Sequence, residues 1–186
     1  MIPYTPEKIS TPERVLTDVP SGWTGLETIL GDIVERHCKQ RRIALEIGVE
    51  YGFSTVALSN FFDLVIGVDH FHGDDHAGPT PEGVDRYRET KDRLKPYDNI
   101  ELVNMPWEQY TYCNERHYDL IHYDARHDFH DTYIAVHWAC RHSPVVLVHD
   151  VTWFADVRPA CERVAKDLNK RAFAFSDFNG LGILVD

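Results

Sequence analysis

Four side chains at the ends of two apolar runs have the types and spacing to do chemistry. Asp124 closes Leu120-Ile121-His122-Tyr123-Asp124, His127 follows it by three residues, and His149-Asp150 closes Val145-Val146-Leu147-Val148. If the runs are neighbouring parallel strands, Asp124, His127, His149 and Asp150 converge on one cleft mouth. Carboxylates suit a divalent cation such as magnesium, and an imidazole in the set admits manganese or zinc. Such a cation lowers the pKa of a hydroxyl nucleophile, and an imidazole can take its proton. The same residue types are ordinary turn and cap residues, and Asp128 or Asp131 can cap a following helix. The cluster therefore reads either as a metal-and-base site or as caps. His122 shares a strand face with Asp124 and reads as a buried, hydrogen-bonded histidine.

A second constellation ends two earlier runs. Glu46-Ile47-Gly48-Val49-Glu50-Tyr51-Gly52-Phe53-Ser54 continues the run from Ile43, and Asp69 ends Leu64-Val65-Ile66-Gly67-Val68-Asp69. Gly48 and Gly52 lack a Cβ, so the backbone there can approach a ligand closely. Ser54 is placed to cap the next helix. Asp69, about twenty residues on, is spaced to accept the ribose hydroxyls of a nucleoside. Strand, glycines, helix and acid together favour nucleoside binding over a plain turn. The dinucleotide pattern G-x-G-x-x-G fails at Glu50, whose carboxylate would repel a pyrophosphate. S-adenosylmethionine has no phosphate and carries a cationic sulfonium and ammonium. Glu46 and Glu50 thus favour it over a nicotinamide dinucleotide.

These sites need a scaffold that brings strand ends together. Apolar spacing predicts helices over Gly25 to Lys39, Thr55 to Phe62, Val84 to Leu94, Thr132 to His142 and Val157 to Lys170. Between them lie the runs at residues 43–47, 64–69, 100–103, 120–124 and 145–148, with short strands near 173–175 and 183–185. Alternation of strand and helix implies an α/β, Rossmann-like three-layer sandwich with a seven-stranded, mostly parallel sheet. The last two strands lie too close for a helical crossover and form an antiparallel C-terminal edge pair. Residues 1–22, broken by Pro3, Pro6, Pro12 and Pro20, read as an extended arm, and residues 23–186 as one domain.

Several motifs now fall in order: Gly22-Trp23, Glu46-Ile47-Gly48, Tyr51-Gly52-x-Ser54, Val68-Asp69, Gly73-Asp74-Asp75-His76-Ala77-Gly78, His122-Tyr123-Asp124, His127, His149-Asp150 and Gly180-Leu181-Gly182. In them the chain resembles the class I S-adenosylmethionine-dependent methyltransferases. More narrowly, it resembles a small bacterial subfamily often fused to glycosyltransferases and distantly similar to metal-dependent antibiotic-sugar O-methyltransferases. The resemblance implies methylation of a hydroxyl on a small-molecule acceptor, a sugar or similar polyol. It puts Asp124 and Asp150 at metal-ligand positions, with His149 where those relatives have an acid, and makes His127 the general base. It also puts Trp107 near the adenine ring, although core packing explains that residue equally well. The chain departs from the class at Glu50 and in having His142-Ser143-Pro144 where a Pro-Gly-Gly turn is usual.

Composition narrows the alternatives. A net charge of −11 argues against a nucleic-acid partner, whose phosphates require Lys and Arg. No apolar run could span a bilayer, the first twenty residues lack a signal-peptide core, and the four scattered cysteines form no C-x-x-C pair. A cytoplasmic protein with reduced thiols is expected. The relatives suggest a homo-oligomer, but no interface stripe stands out. The His70-Phe71-His72-Gly73-Asp74-Asp75-His76 segment reads as a polar lid over the cofactor rather than a metal site. Trp23, Trp138 and Trp153 read as core or interface residues, with Trp153 best placed to meet a substrate. The rival readings are a catalytically degenerate cofactor-binding module in glycan assembly and a nicotinamide-dependent oxidoreductase.

Overall fold

The computed structural model describes residues 1–74 and 78–186. Its parallel strands are β2 (Ile43–Ile47), β3 (Leu64–Asp69), β6 (Ile100–Asn104), β7 (Leu120–Tyr123) and β8 (Val145–His149). Two C-terminal strands, β9 (Arg171–Phe175) and β10 (Leu181–Val185), complete the expected seven. An eighth, β1 (Ile2–Pro3), comes from the arm and pairs in parallel with β9. The sheet order is β1-β9-β10-β8-β7-β2-β3-β6, and β10 runs antiparallel to both neighbours. A two-stranded ribbon, β4 (Gly73–Asp74) with β5 (Gly78–Pro79), stands apart.

Alternation along the strands builds two cores. Ala44, Leu120, Val145 and Leu147 pack with helices α1 (Glu27–His37), α2 (Phe53–Ser59) and the end of α3 (Arg86–Leu94). Leu45, Ile47, Ile121, Val146 and Val148 face α4 (Trp107–Cys113), α5 (Phe129–His142) and α6 (Val157–Asp167). Strand residues one apart thus enter opposite layers, as the pleat requires. Glu46, His122 and His149 fall in step with the first set.

The helix starts correct two sequence expectations, and one helix is new. Helix α2 begins at Phe53 behind Gly52, which adopts φ +90°, so Ser54 lies inside the helix and makes no cap. Helix α5 starts at Phe129, earlier than its apolar spacing suggests, because Asp128 accepts a hydrogen bond from Asp131 N at 3.0 Å. Helix α4 was not expected: it has seven residues, and only Trp107 and Tyr110 are buried, too little periodicity to register.

The arm is tied down by one buried acid. Asp32 accepts from the Tyr4 hydroxyl at 2.5 Å and from Glu7 N and Lys8 N at 3.1 Å. The arm then ends at Pro20, Ser21 and Gly22 on the wall of the main cleft.

Candidate active site

From β2 the chain proceeds outward to β3 and β6, then returns to β7 and β8 on the other side. The direction reverses between β2 and β7, and a crevice opens there at the carboxyl ends, where α/β sheets bind ligands. Gly48 sits at that point with φ +91°, and a Cβ on it would fall 1.7 Å from the Asp124 carbonyl oxygen. Only glycine allows the two strand tips this close. Glu50 keeps a left-handed backbone, φ 51°, although it is not a glycine. Asp69 clamps the turn: its Oδ2 accepts from Val49 N and Glu50 N, each at 2.9 Å, and its Oδ1 from Phe71 N at 2.6 Å. A carboxylate has about four acceptor positions, so three are used and one remains for a ligand hydroxyl.

At the tips of β7 and β8 the expected cluster forms. His127 Nε2 lies 3.0 Å from Asp150 Oδ2 and 3.7 Å from Asp124 Oδ1. His149 Nδ1 donates to Asp124 Oδ2 at 3.1 Å, and its Nε2 faces the Phe178 carbonyl at 3.4 Å. The Phe154 ring lies flat on His127, centroids 4.2 Å apart. Burial disfavours charge on Asp124, but His149 nearby and hydrogen bonds from His127 and His149 win, holding its carboxyl far below the usual range. Burial likewise disfavours protonation of His127, yet hydrogen bonds to Asp124 and Asp150 raise its pKa to about 9. His149 is raised too, by Asp124 chiefly, against its own desolvation.

Asp124, His127 and Asp150 each offer one ligand atom, all within 4.8 Å of one another. Asp150 adopts φ 63°, and its Oδ1 is buried with no hydrogen-bond partner among the described residues. A buried carboxylate oxygen without a donor is costly, and a cation would satisfy it. The two carboxylates, with His127 beside them, therefore fit a divalent metal.

A family model described as a methyltransferase domain matches residues 45–151, more than half of the chain. The chain belongs to that methyltransferase family. No curated protein matches it. Solved structures agree on the fold. A Klebsiella pneumoniae protein assigned as an O-methyltransferase superposes with TM-score 0.62 at 17% identity, covering 92% of this chain and 83% of that one. A Staphylococcus aureus protein assigned as a caffeoyl-CoA O-methyltransferase gives 0.63 at 14%, covering 92% and 86%. The S-adenosylhomocysteine-bound methyltransferase of Podospora anserina gives 0.59 at 17%, covering 90% and 88%. At such identities the likeness speaks for the fold alone: this is the α/β Rossmann-like methyltransferase fold.

In the methyltransferase domain, the cleft of about 550 Å³ is lined by Gly48, Glu50, Ser54, Asp69 and Trp107 on one side. Asp124, His127, His149 and Asp150 line the other. Two expected ligand residues lie elsewhere. Glu46 is fully buried below the floor, where Oε2 accepts from the Thr55 hydroxyl and Oε1 pairs with His122 Nδ1 at 2.9 Å. Its strand face turns it toward α2 and away from the cleft. Gly52 packs against the Leu94 side chain and serves the start of α2. His149, expected as a metal ligand, stands outside the three-residue group, with its Nδ1 3.1 Å from Asp124 Oδ2 and 3.6 Å from Asp150 Oδ2. His122 is buried, accepting from Trp23 Nε1 at 3.1 Å. Of the expected lid, His70 and Phe71 line the cleft, while Asp75 and His76 lie outside the described residues. Sequence reasoning missed Phe154, one residue beyond Trp153, and the wall from Pro20 to Gly22. A stacked ring leaves no periodic signal in a turn.

Among the described residues, no helix is long and apolar enough to cross a membrane.

Proposed function

We propose that the protein is an S-adenosylmethionine-dependent O-methyltransferase acting on a hydroxyl of a sugar or similar polyol, aided by a divalent cation. The observation that carries this reading is the meeting of two sites in one cleft: the Gly48–Asp69 nucleoside seat and the Asp124–His127–Asp150 cluster. The seat fits the cofactor, because the turn offers carboxylates at Glu50 and Asp69. That charge favours a cationic nucleoside over a pyrophosphate. When bound, S-adenosylmethionine supplies an electrophilic methyl on a sulfonium, and a divalent cation supplies charge that makes a nearby hydroxyl more acidic.

The chain's own residues do the rest. Asp69 keeps one acceptor position for a ribose hydroxyl, and Trp107, 7% exposed on the lining, offers a flat apolar wall for the adenine. Asp124 and Asp150 would hold the cation, and His149 fixes the Asp124 carboxylate by its Nδ1 hydrogen bond. With both carboxylates engaged by a cation, His127 would lose the partners that raise its pKa and would be neutral. Its Nε2 then takes the proton of the acceptor hydroxyl. Phe154 covers the ring and keeps water from its face. Holding nucleophile and methyl in line supplies much of the acceleration. A cytoplasmic setting belongs to the same reading, as the four cysteines stand as thiols, the state a reducing compartment maintains.

The test has two stages. S-adenosylhomocysteine should raise the melting temperature and NADH should not, since a ligand of the native state stabilises by mass action. Labelled methyl transfer to a carbohydrate panel at neutral pH should then depend on added magnesium, manganese or zinc and fall sharply with chelator. Stabilisation without transfer under any metal would make the domain a cofactor-binding module.

A further inference from the structure

The cleft wall beyond β7 and β8 carries two groups that the chemistry above does not use. The first is Arg126. Its backbone is held at three points: its N–H donates to the Tyr123 hydroxyl at 3.0 Å, and its carbonyl accepts from Tyr123 and Thr132 hydroxyls at 3.1 Å. Arg126 is exposed, lines the cleft and makes no ion pair within 4.0 Å among the described residues. Asp131 is near enough to feel its charge but forms no bridge to it. The cleft's other arginine, Arg86, is spent, paired with Glu89 at 3.0 Å and lying over the Tyr51 ring. In a chain of net charge −11, an unspent arginine anchored two residues from Asp124 stands out.

The second is Trp153. Its indole is 69% exposed at the cleft, although the turn behind it is tight, with Trp153 N and Phe154 N both donating to Asp150 O at 3.1 and 3.2 Å. A fixed, uncovered ring at a cleft mouth is a platform for a ligand ring.

Building on the methyltransferase reading, we infer that the acceptor is a ring-bearing hydroxyl compound with an anionic substituent. Arg126 holds the anion and Trp153 stacks on the ring. Guanidinium is matched to carboxylate and phosphate, which it grips through two parallel donors. The anchored backbone limits the entropy lost when it does so. An acid-rich cleft would otherwise repel such a compound, so the cation selects it against neutral sugars.

The matched probes are 4-nitrophenyl glucuronide and 4-nitrophenyl glucoside, which differ by one carboxylate, with 4-nitrophenyl phosphate as a phosphate arm. Calorimetry is run with and without saturating S-adenosylhomocysteine. The glucuronide should bind about tenfold or more tighter than the glucoside, as expected for a hydrogen bond between charged groups. High salt should shrink that gap. Arg126→Ala should erase it and Arg126→Lys keep part of it, both with unchanged S-adenosylhomocysteine affinity. Trp153→Ala should weaken both glycosides equally. A stronger response to the phosphate arm would assign the anion as phosphate. Equal affinity for the two glycosides, no binding of any probe, or a gap that survives Arg126→Ala would overturn the inference. Failure to bind S-adenosylhomocysteine would instead sink the methyltransferase reading, and the glycoside comparison could still be read.

Discussion

His127 Nε2 is held 3.0 Å from Asp150 Oδ2, so the group best placed to accept a proton is paired with one that keeps it protonated. Hydrogen bonds to Asp124 and Asp150 overcome burial and raise its pKa from 6.5 to about 9. At neutral pH without a metal the ring is an imidazolium and cannot act as a base. Methyl transfer in chelator should therefore be weak at neutral pH and climb as pH approaches about 9. Added magnesium or manganese should move that climb to lower pH, because the cation takes over the carboxylates. Profiles of kcat/KM against pH with and without metal check this. A metal-free profile with no such climb would remove His127 as the base.

The same pairing makes stability depend on pH. A histidine whose folded pKa is raised stabilises the fold fully below its unfolded value of 6.5, and loses that contribution as pH rises through about 9. His149 shifts in the same direction and adds to the loss. Asp124 acts oppositely: held low in the fold, it contributes above its ordinary 3.8 and fades only in strong acid. Melting temperature should therefore decline on the alkaline side between 6.5 and about 9, and His127→Ala should flatten that decline. An equally steep decline in the variant would locate the titration elsewhere.

Gly48 and Gly52 looked alike in the sequence, and their substitutions should separate them. A Cβ at Gly48 meets the Asp124 backbone oxygen at 1.7 Å, which cannot move without carrying the cluster with it. Gly48→Ala should cost about 3 kcal/mol or more, from left-handed strain plus overpacking, and abolish cofactor binding. At Gly52 the nearest atoms belong to the Leu94 side chain at 3.0 Å, which can yield. Gly52→Ala should cost roughly 1–2 kcal/mol, mostly backbone strain at its positive φ, and leave affinity for S-adenosylhomocysteine within a few-fold. Denaturant unfolding and calorimetry on both variants give the comparison.

That contrast shows what the sequence made legible. Strands, their tips and the reversal between Gly48 and Asp124 follow from apolar runs and their alternation with helices, so the cleft and its acids could be placed in advance. Face was the weaker inference. The two-residue period puts Glu46 and His122 on one side, but the sequence does not say which side meets the ligand, and Glu46 turned out to lie beneath it. Which of Asp124, His127, His149 and Asp150 would pair depended on side-chain rotamers at strand ends. The arm's β1 depends on Asp32 capturing Tyr4, Glu7 and Lys8 from a distant helix, a tertiary event without local signal.

Asp69 has two tasks that variants can divide. Oδ2 gathers Val49 N and Glu50 N, and this supports the left-handed backbone at Glu50. Asp69→Asn keeps an oxygen for those two donors but places an amide near Phe71 N, while Asp69→Ala removes every acceptor. Alanine should weaken S-adenosylhomocysteine about tenfold or more and destabilise by about 1–2 kcal/mol, since three part-buried or exposed backbone donors lose their partner. Asparagine should fall between in both measures. If alanine leaves calorimetric affinity unchanged, Asp69 only shapes the turn and the nucleoside assignment weakens.

The last prediction concerns the chain of polar groups under the floor. Trp23 Nε1 donates to His122 Nε2 at 3.1 Å, which fixes the other nitrogen, Nδ1, as the donor to Glu46 Oε1 at 2.9 Å. Glu46 Oε2 then accepts from the Thr55 hydroxyl. Glu46 and His122 are fully buried, and Trp23 is 1% exposed, so water cannot replace a lost partner. The chain links the start of the domain to β2, β7 and α2, the elements that flank the cleft. Glu46→Ala strands His122 Nδ1 and Thr55, and should cost about 2–4 kcal/mol for two unsatisfied donors, or roughly 5–15 °C in melting temperature at this chain length. Trp23→Phe loses the donor and also part of the buried ring, and should cost about 2–3 kcal/mol. The double variant should cost less than the sum of the two, because groups in one network couple. Strict additivity in a double-mutant cycle would show that the hydrogen bonds act separately and that Trp23 is held there by packing alone.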